Sequence, residues 1–94
     1  MDRHKYIGLI NPAIEIVAKK GEDYNSAVTL EQYFPFGDHS YIQMIHLKAL
    51  RLVSLAEKSQ INFEGKQDTV LDLINYCVFY LDYLAQEAEH AKPV

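Results

Sequence analysis

The residues of this sequence that are best placed to do chemistry are two aspartates, Asp68 and Asp72. On a helix they lie one turn apart, so their carboxylates project side by side. Two carboxylates in that geometry can share a Mg²⁺ ion whose other ligands are water and phosphate oxygens. The same spacing is also common on solvated helix faces, so a magnesium site and a plain polar surface are both open interpretations.

The two aspartates belong to a polar stripe on an otherwise apolar helical segment. At 100° per residue, one narrow face carries Asp68, Asp72, Asn75, Asp82 and Gln86. Unpaired buried carboxylates are too costly to keep. The stripe must therefore face water, pair with cations, or hold a metal and a ligand.

Lys48 and Arg51 are the candidate cations, because they are the strongly basic groups in the central part of the preceding helix. In one interpretation, one or both contact Asp68 and Asp72. In the other, Lys48 extends its ammonium to the edge of its helix while its stem packs, and Arg51 is solvated.

Other catalytic patterns are missing from the sequence. The glycines are scattered and form no phosphate-binding loop. No histidine or cysteine pair stands at metal-ligand spacing, and no serine lies in a nucleophile-elbow pattern. The carboxylates are therefore the one constellation left to consider.

Length and charge limit the class of protein. With 94 residues, a net charge of −4 and a single cysteine, the chain is expected to be one domain over residues 1–94, without an internal disulfide. An acidic chain is a poor match to a nucleic-acid binder, and no apolar run approaches the length of a membrane span. We therefore predict a cytoplasmic protein that binds neither membrane nor nucleic acid.

The apolar periodicity predicts an all-α fold, a three-helix antiparallel bundle with a long loop between the first two helices. The helices are expected at residues 4–20, 41–58 and 67–88, with a frayed tail at 89–94. Pro12 either kinks a continuous first helix, which we favour, or opens a second helix capped by Asn11. Gly21 should end this first helix before Glu22, and Ser40 should cap the helix expected at residues 41–58.

The connection at residues 22–39 is longer than an ordinary helix connection, which is typical of functional or disordered loops. A short helical turn is expected after Thr29. The aromatic residues of the loop either pack onto the helices or offer flat faces to a nucleotide base, and we favour packing. They are Tyr24, Tyr33, Phe34 and Phe36.

The helices carry more apolar surface than three helices of this size can bury, which predicts a homodimer that forms a larger helical bundle. Tyr76, Tyr80 and Tyr83 recur at helical spacing on the last helix. We expect that helix to cross or pair with its symmetry mate there, because tyrosine tolerates a partly wet interface.

Three motifs resemble those of a family of small, mostly phage-borne helical proteins of unknown function, called nucleotide modification associated domain 1. They are KGEDYNS at 20–26, KxxRL at 48–52 and DTxxDLxNY at 68–76. The resemblance implies a link to nucleotide metabolism or DNA modification in the cytoplasm of a bacterial host. A more distant likeness, to the all-α nucleoside triphosphate pyrophosphohydrolases of the MazG type, implies Mg²⁺, although the Glu-x-x-Glu pair of those enzymes is missing here.

Three hypotheses follow. In the first, the protein binds a nucleotide, with or without Mg²⁺-dependent pyrophosphohydrolysis. In the second, it is a non-catalytic phage accessory protein that binds a nucleotide or a host protein. In the third, the acidic stripe is an internal salt-bridge network and the protein acts through its surface. For the first, Asp68 and Asp72 are the metal ligands, and the ligand-binding residues are Asp23, Tyr24, Lys48, Arg51 and Asn75.

Overall fold

The computed structural model describes four α-helices and the turns next to them, over residues 2–24, 29–57 and 63–91. In chain order the helices are α1 (Arg3–Tyr24), α2 (Leu30–Tyr33), α3 (Asp38–Glu57) and α4 (Phe63–Ala91). The all-α prediction is confirmed. The three long helices are α1, α3 and α4, and the short helix α2 lies in the long connection between the first two.

The ends of the long helices also differ from the predicted ones. The helix α1 does not stop before Glu22 but passes through Gly21 and ends at Tyr24, with Pro12 inside one continuous helix. The helix α4 begins at Phe63, before the predicted start, and continues to Ala91. Residues 92–94 of the predicted tail lie outside the described part of the chain.

Ser40 does not cap α3 as predicted, because the helix already begins at Asp38. The Ser40 hydroxyl instead accepts a hydrogen bond from the Phe36 backbone N–H at 2.9 Å, and the Ser40 N–H donates to the Gly37 carbonyl at 3.0 Å. Ser40 thus stabilises the turn that leads into α3. Asp38, in the first turn, complements the positive end of the helix dipole.

The predicted helical turn after Thr29 is confirmed as α2, and a capping box explains it. The Gln32 N–H donates to Thr29 Oγ1 at 3.2 Å, while the Thr29 N–H donates to Gln32 Oε1 at 2.8 Å. Each side chain satisfies a backbone N–H that the short helix leaves without a partner.

The helix α4 lies between the other two long helices. Both α1 and α3 pack against α4, and no packing between α1 and α3 is present in the described residues. Tyr41 of α3 contacts Tyr80 of α4 while Lys48 contacts Asp72, so α3 and α4 run antiparallel. The radius of gyration is 15.6 Å, against about 12 Å for a compact domain of this length. The arrangement is therefore open and elongated.

Aromatic rings form the core between α3, α4 and the turn after α2. Phe34, Tyr41 and Phe79 are buried. The Tyr41 ring stacks on Phe34 at 4.5 Å and on Tyr80 at 5.5 Å, and it lies 5.3 Å from Tyr83. Packing is thus the correct interpretation for Phe34.

The three tyrosines predicted at a dimer contact take part in this core. Tyr76, Tyr80 and Tyr83 pack against Phe34 and Tyr41 of their own chain and are half-buried. That α4 also meets a symmetry mate there stays a prediction.

A hydrogen bond links Tyr80 of this core to the first residue of α3. The Tyr80 hydroxyl donates to Asp38 Oδ1 at 2.9 Å. The pKa of Tyr80 is raised, mainly by this hydrogen bond and to a smaller extent by desolvation. The pKa of Tyr41 is raised mainly because the residue is buried. Both hydroxyls are therefore neutral at physiological pH.

Gly37 is expected to tolerate no side chain. Its φ is +59°, and a Cβ there would lie 2.7 Å from Tyr83 Oη. We expect Gly37→Ala to lower the free energy of unfolding by about 1 kcal/mol, because a left-handed conformation is strained for L-residues. Urea denaturation is the measurement. Gly8→Ala is the matched control, since a Cβ on Gly8 meets nothing within 4 Å, and it should leave stability unchanged or raise it.

Within the described ranges, no helix combines the length and the apolar character that crossing a membrane requires.

Candidate functional site

Two lysines from different helices meet one carboxylate of α4. Lys20 Nζ of α1 lies 3.3 Å from Asp72 Oδ1, and Lys48 Nζ of α3 lies 3.2 Å from Asp72 Oδ2. We call Lys20, Lys48 and Asp72 the charge cluster. It links three helices, two of which do not pack on each other, and it carries a formal net charge of +1.

The side chains of the charge cluster are partly buried and partly exposed to solvent. The side chains of Lys20, Lys48 and Asp72 are 35%, 23% and 34% exposed. The ammonium groups are therefore accessible to an anion from solution. Their attraction to Asp72 is stronger than that of a fully exposed pair and weaker than that of a buried one.

Asn75, one turn after Asp72, is the most unusual polar residue of the structure. It is completely buried, and neither its Nδ2 nor its Oδ1 has a hydrogen-bond partner among the described residues. Leaving a buried amide unsatisfied costs about 1–3 kcal/mol. A buried unpartnered side chain beside the charge cluster is a reason to expect that this face of α4 has a binding role.

The neighbouring buried polar residue is satisfied, which sets Asn75 apart. Thr69, one turn before Asp72, is 3% exposed. Its hydroxyl donates to the Gly65 carbonyl of the preceding helical turn at 2.6 Å. The hydrogen bond explains how a threonine can be buried there at little cost.

An open apolar cavity of about 480 Å³ lies between α1, α2 and α4. Its lining contains none of the charge-cluster residues and not Asn75. The cavity is lined by Val17, Ala18 and Gly21 of α1, Leu30 of α2, and Val78, Phe79, Leu81 and Asp82 of α4. Asp72 and Phe79 are separated by about 10 Å along α4, a distance that a nucleotide can span.

The structure brings together only some of the predicted site residues. The predicted contact of Lys48 with the acidic stripe is confirmed, and it is made with Asp72. Arg51 and Asp68 are exposed, and neither forms an ion pair among the described residues. The side chains of Asp23 and Tyr24 lie outside the described part of the structure.

The predicted metal ligands are not arranged as a magnesium site. Both oxygens of Asp72 contact ammonium groups, and Asp68 is exposed one turn away. The described ranges contain no group of three or more His, Cys, Asp or Glu residues that could hold a metal ion. Two lysines beside the carboxylate oppose a divalent cation, so this arrangement does not fit Mg²⁺ at Asp72.

Lys20 is the residue of this cluster that sequence reasoning missed. It was assigned to the C-terminal turn of the first helix, where a lysine is ordinary. The spacing of Lys20 from the apolar residues of α1 is the sequence signal that could have placed it on the packed face. Ala13, Val17 and Lys20 follow one another at four and three residues, so Lys20 shares the face of α1 that buries Ala13.

These observations define an all-α protein in which a lysine of α1 and a lysine of α3 pair with one aspartate of α4. Comparisons with protein-family models, with curated proteins and with solved structures give no match for this chain. The resemblance described above therefore stays a prediction.

Proposed function

We propose that this is an accessory protein of nucleotide metabolism or DNA modification that binds a nucleotide or a related phosphate ligand at the charge cluster. One observation carries the proposal. Lys20 and Lys48 converge on the face of α4 where the Asn75 amide is buried and, within the described part of the chain, has no hydrogen-bond partner.

In this proposal the lysines and the aspartate of the charge cluster have different roles in binding the ligand. The two ammonium groups neutralise phosphate charge, and Asp72 keeps both oriented toward the same point before the ligand arrives. The apolar cavity along α1 and α4 accepts the base or sugar, and its volume lies in the range of small-molecule sites. Asn75 offers a donor and an acceptor. Because Asn75 is buried, its contact with the ligand requires the side chains that cover it to move.

Titration calorimetry with deoxynucleoside triphosphates and inorganic pyrophosphate tests this proposal. We expect saturable binding by the wild-type chain and a loss of about tenfold or more in Lys48→Met and Lys20→Met, because each variant removes a charge-assisted contact worth about 1.5–3 kcal/mol. Lys19→Met is the matched control, since Lys19 is an exposed neighbour on α1 outside the cluster, and it should bind like the wild type.

The same titrations are run with and without MgCl₂. Binding that needs Mg²⁺, together with release of pyrophosphate from a triphosphate, would favour the pyrophosphohydrolase alternative. Failure of the wild-type chain to bind any of these ligands would overturn the proposal.

A second candidate function is a non-catalytic protein-interaction module, in which the charge cluster is a structural joint. Extensive apolar exposure favours it, because contiguous apolar surface on a soluble protein usually marks an interaction site. Large side chains that are about half exposed include Ile7, Ile10 and Ile14 on α1, Ile42, Leu50 and Val53 on α3, and Leu81 on α4.

We also propose that the chain forms a homodimer. The apolar face of α1 that buries Ala13 continues toward the N-terminus as Tyr6 and Ile10, which are 49% and 47% exposed. The outer sides of α3 and α4 are apolar as well. In a two-fold symmetric dimer, one type of contact buries the same apolar surface on both chains.

A further inference from the structure

The polar stripe of α4 continues past the charge cluster to Asp82, a residue to which the proposed function gives no role. Asn75 and Asp82 lie within about 20° of each other on one face of the helix, because seven residues complete nearly two turns. Asp82 lines the apolar cavity between α1, α2 and α4. Among the described residues, the rest of that lining consists of apolar side chains and Gly21. A carboxylate in such a lining gives the cavity a point of directional recognition.

Charges of opposite sign flank this cavity. Gly21 of its lining directly follows Lys20 of the charge cluster, whose formal net charge is +1. Asp82 also lines a neighbouring polar cavity of about 300 Å³, which Glu31 lines as well. An anionic group is attracted to the lysines and repelled by Asp82 and Glu31. A nucleotide that binds here therefore places its phosphates at the charge cluster and its base beside Asp82.

The separation of the two charged positions limits the length of the ligand. Asp72 and Asp82 are ten residues apart on α4, which is about 15 Å along the helix axis. An extended nucleoside diphosphate or triphosphate spans such a distance, whereas a free base does not. The buried amide of Asn75, which has no hydrogen-bond partner among the described residues, lies between them on the same side of the helix.

Guanine is the base whose hydrogen-bonding edge fits a carboxylate. An ionised carboxylate only accepts hydrogen bonds, and its two oxygens can accept from two donors at once. Guanine offers its N1–H and its 2-amino group side by side. Adenine and cytosine place an acceptor nitrogen beside their amino group, and thymine flanks its N–H with two carbonyls. Each of these three bases therefore directs a lone pair at the carboxylate, which repels it.

We propose that Asp82 selects guanine nucleotides by accepting hydrogen bonds from the N1–H and the 2-amino group of the base, while Lys20 and Lys48 bind the phosphates. Asp82 is exposed, so a base can reach it without displacing protein. This inference rests on the proposed function and names the ligand class of the same site.

Titration calorimetry that compares different bases on the same triphosphate tests the inference. The wild-type chain is expected to bind dGTP at least tenfold more tightly than dATP, dCTP or TTP. It should also prefer dGTP to dITP, which lacks the 2-amino group, by roughly tenfold, because a charge-assisted hydrogen bond is lost. Equal affinity for dGTP, dATP, dCTP and TTP would overturn the selection of guanine and leave the proposed phosphate site standing.

Asp82→Asn gives a second readout, because it replaces one acceptor oxygen with a donor. We expect the variant to bind dGTP at least tenfold more weakly and xanthosine triphosphate more tightly than the wild type does, since xanthine has a carbonyl where guanine has its 2-amino group. Its affinity for inorganic pyrophosphate should not fall. Glu89→Gln is the matched control, because it removes the same charge from an exposed position of α4 outside both cavities, and it should keep the preference for dGTP.

Two further results would contradict the inference in different ways. If Asp82→Asn binds every nucleotide more tightly by the same factor, Asp82 only repels phosphate, and its role in base selection is overturned. If the wild-type chain binds neither the nucleotides nor pyrophosphate, the proposed function is overturned together with this inference.

Discussion

Replacing Asn75 with leucine is expected to raise the free energy of unfolding by about 1–3 kcal/mol. Asn75 is completely buried, and its amide has no hydrogen-bond partner in the described ranges 2–24, 29–57 and 63–91. The wild-type chain therefore bears the desolvation cost of that amide, which an apolar side chain of similar volume removes. Urea denaturation of Asn75→Leu and of the wild type measures the difference, since both chains should show the same dependence on denaturant.

Thr69→Val is the matched control for this prediction. Thr69 is also buried on α4, but its hydroxyl donates a hydrogen bond to the Gly65 carbonyl. The substitution should therefore lower the free energy of unfolding by about 0.5–1.5 kcal/mol. Opposite signs for the two substitutions would establish that the Asn75 amide is a cost to folding, which is what a residue retained for binding should be.

Asn75→Leu also separates the ligand role from the fold. If Asn75 contacts the phosphate ligand, the variant is more stable yet binds the nucleotide at least tenfold more weakly. A variant less stable than the wild type would show that the amide has a partner inside the chain. The strongest support for a binding role of this face would then be lost.

The sequence was most informative where periodicity decides the outcome. The all-α class and the short helical turn after Thr29 were predictable, because apolar spacing and capping patterns act locally. The contact between Lys48 and the acidic stripe was one of two open interpretations, because it joins two helices. Helix ends were predicted less well. Gly21 lies within α1 although glycine often ends a helix, so glycine alone does not fix where a helix ends.

The missed features depend on contacts between distant segments. Tyr76, Tyr80 and Tyr83 were expected at a dimer contact, and helical spacing alone gives no sign that Phe34 and Tyr41 pack on them. Lys20 reaches Asp72 because α1 packs on α4, and this packing depends on the tertiary arrangement. Asp68 and Asp72 are adjacent on α4, yet only Asp72 lies where both lysines reach it.

Replacing Asp72 with asparagine is expected to lower the free energy of unfolding by about 2 kcal/mol. The carboxylate holds Lys20 and Lys48 at 3.3 and 3.2 Å, and without it two ammonium groups face each other across a neutral amide. Exposed ion pairs contribute about 0–1 kcal/mol and the loss of one partner of a buried pair costs about 3–5 kcal/mol. With its side chains about one third exposed, this cluster falls between those limits.

A double-mutant cycle distinguishes lost pairing from a general disturbance of α4. Lys48→Met removes one of the two ammonium groups, so Asp72→Asn should cost about 1 kcal/mol less in that background than in the wild type. Its cost should also shrink in 1 M salt, which screens partly exposed charges. Equal costs in both backgrounds and at both salt concentrations would mean that Asp72 stabilises the fold through something other than the two lysines. The interactions that hold α1 and α3 on α4 would then be the apolar contacts around Ala13 and Leu55, both of which are buried.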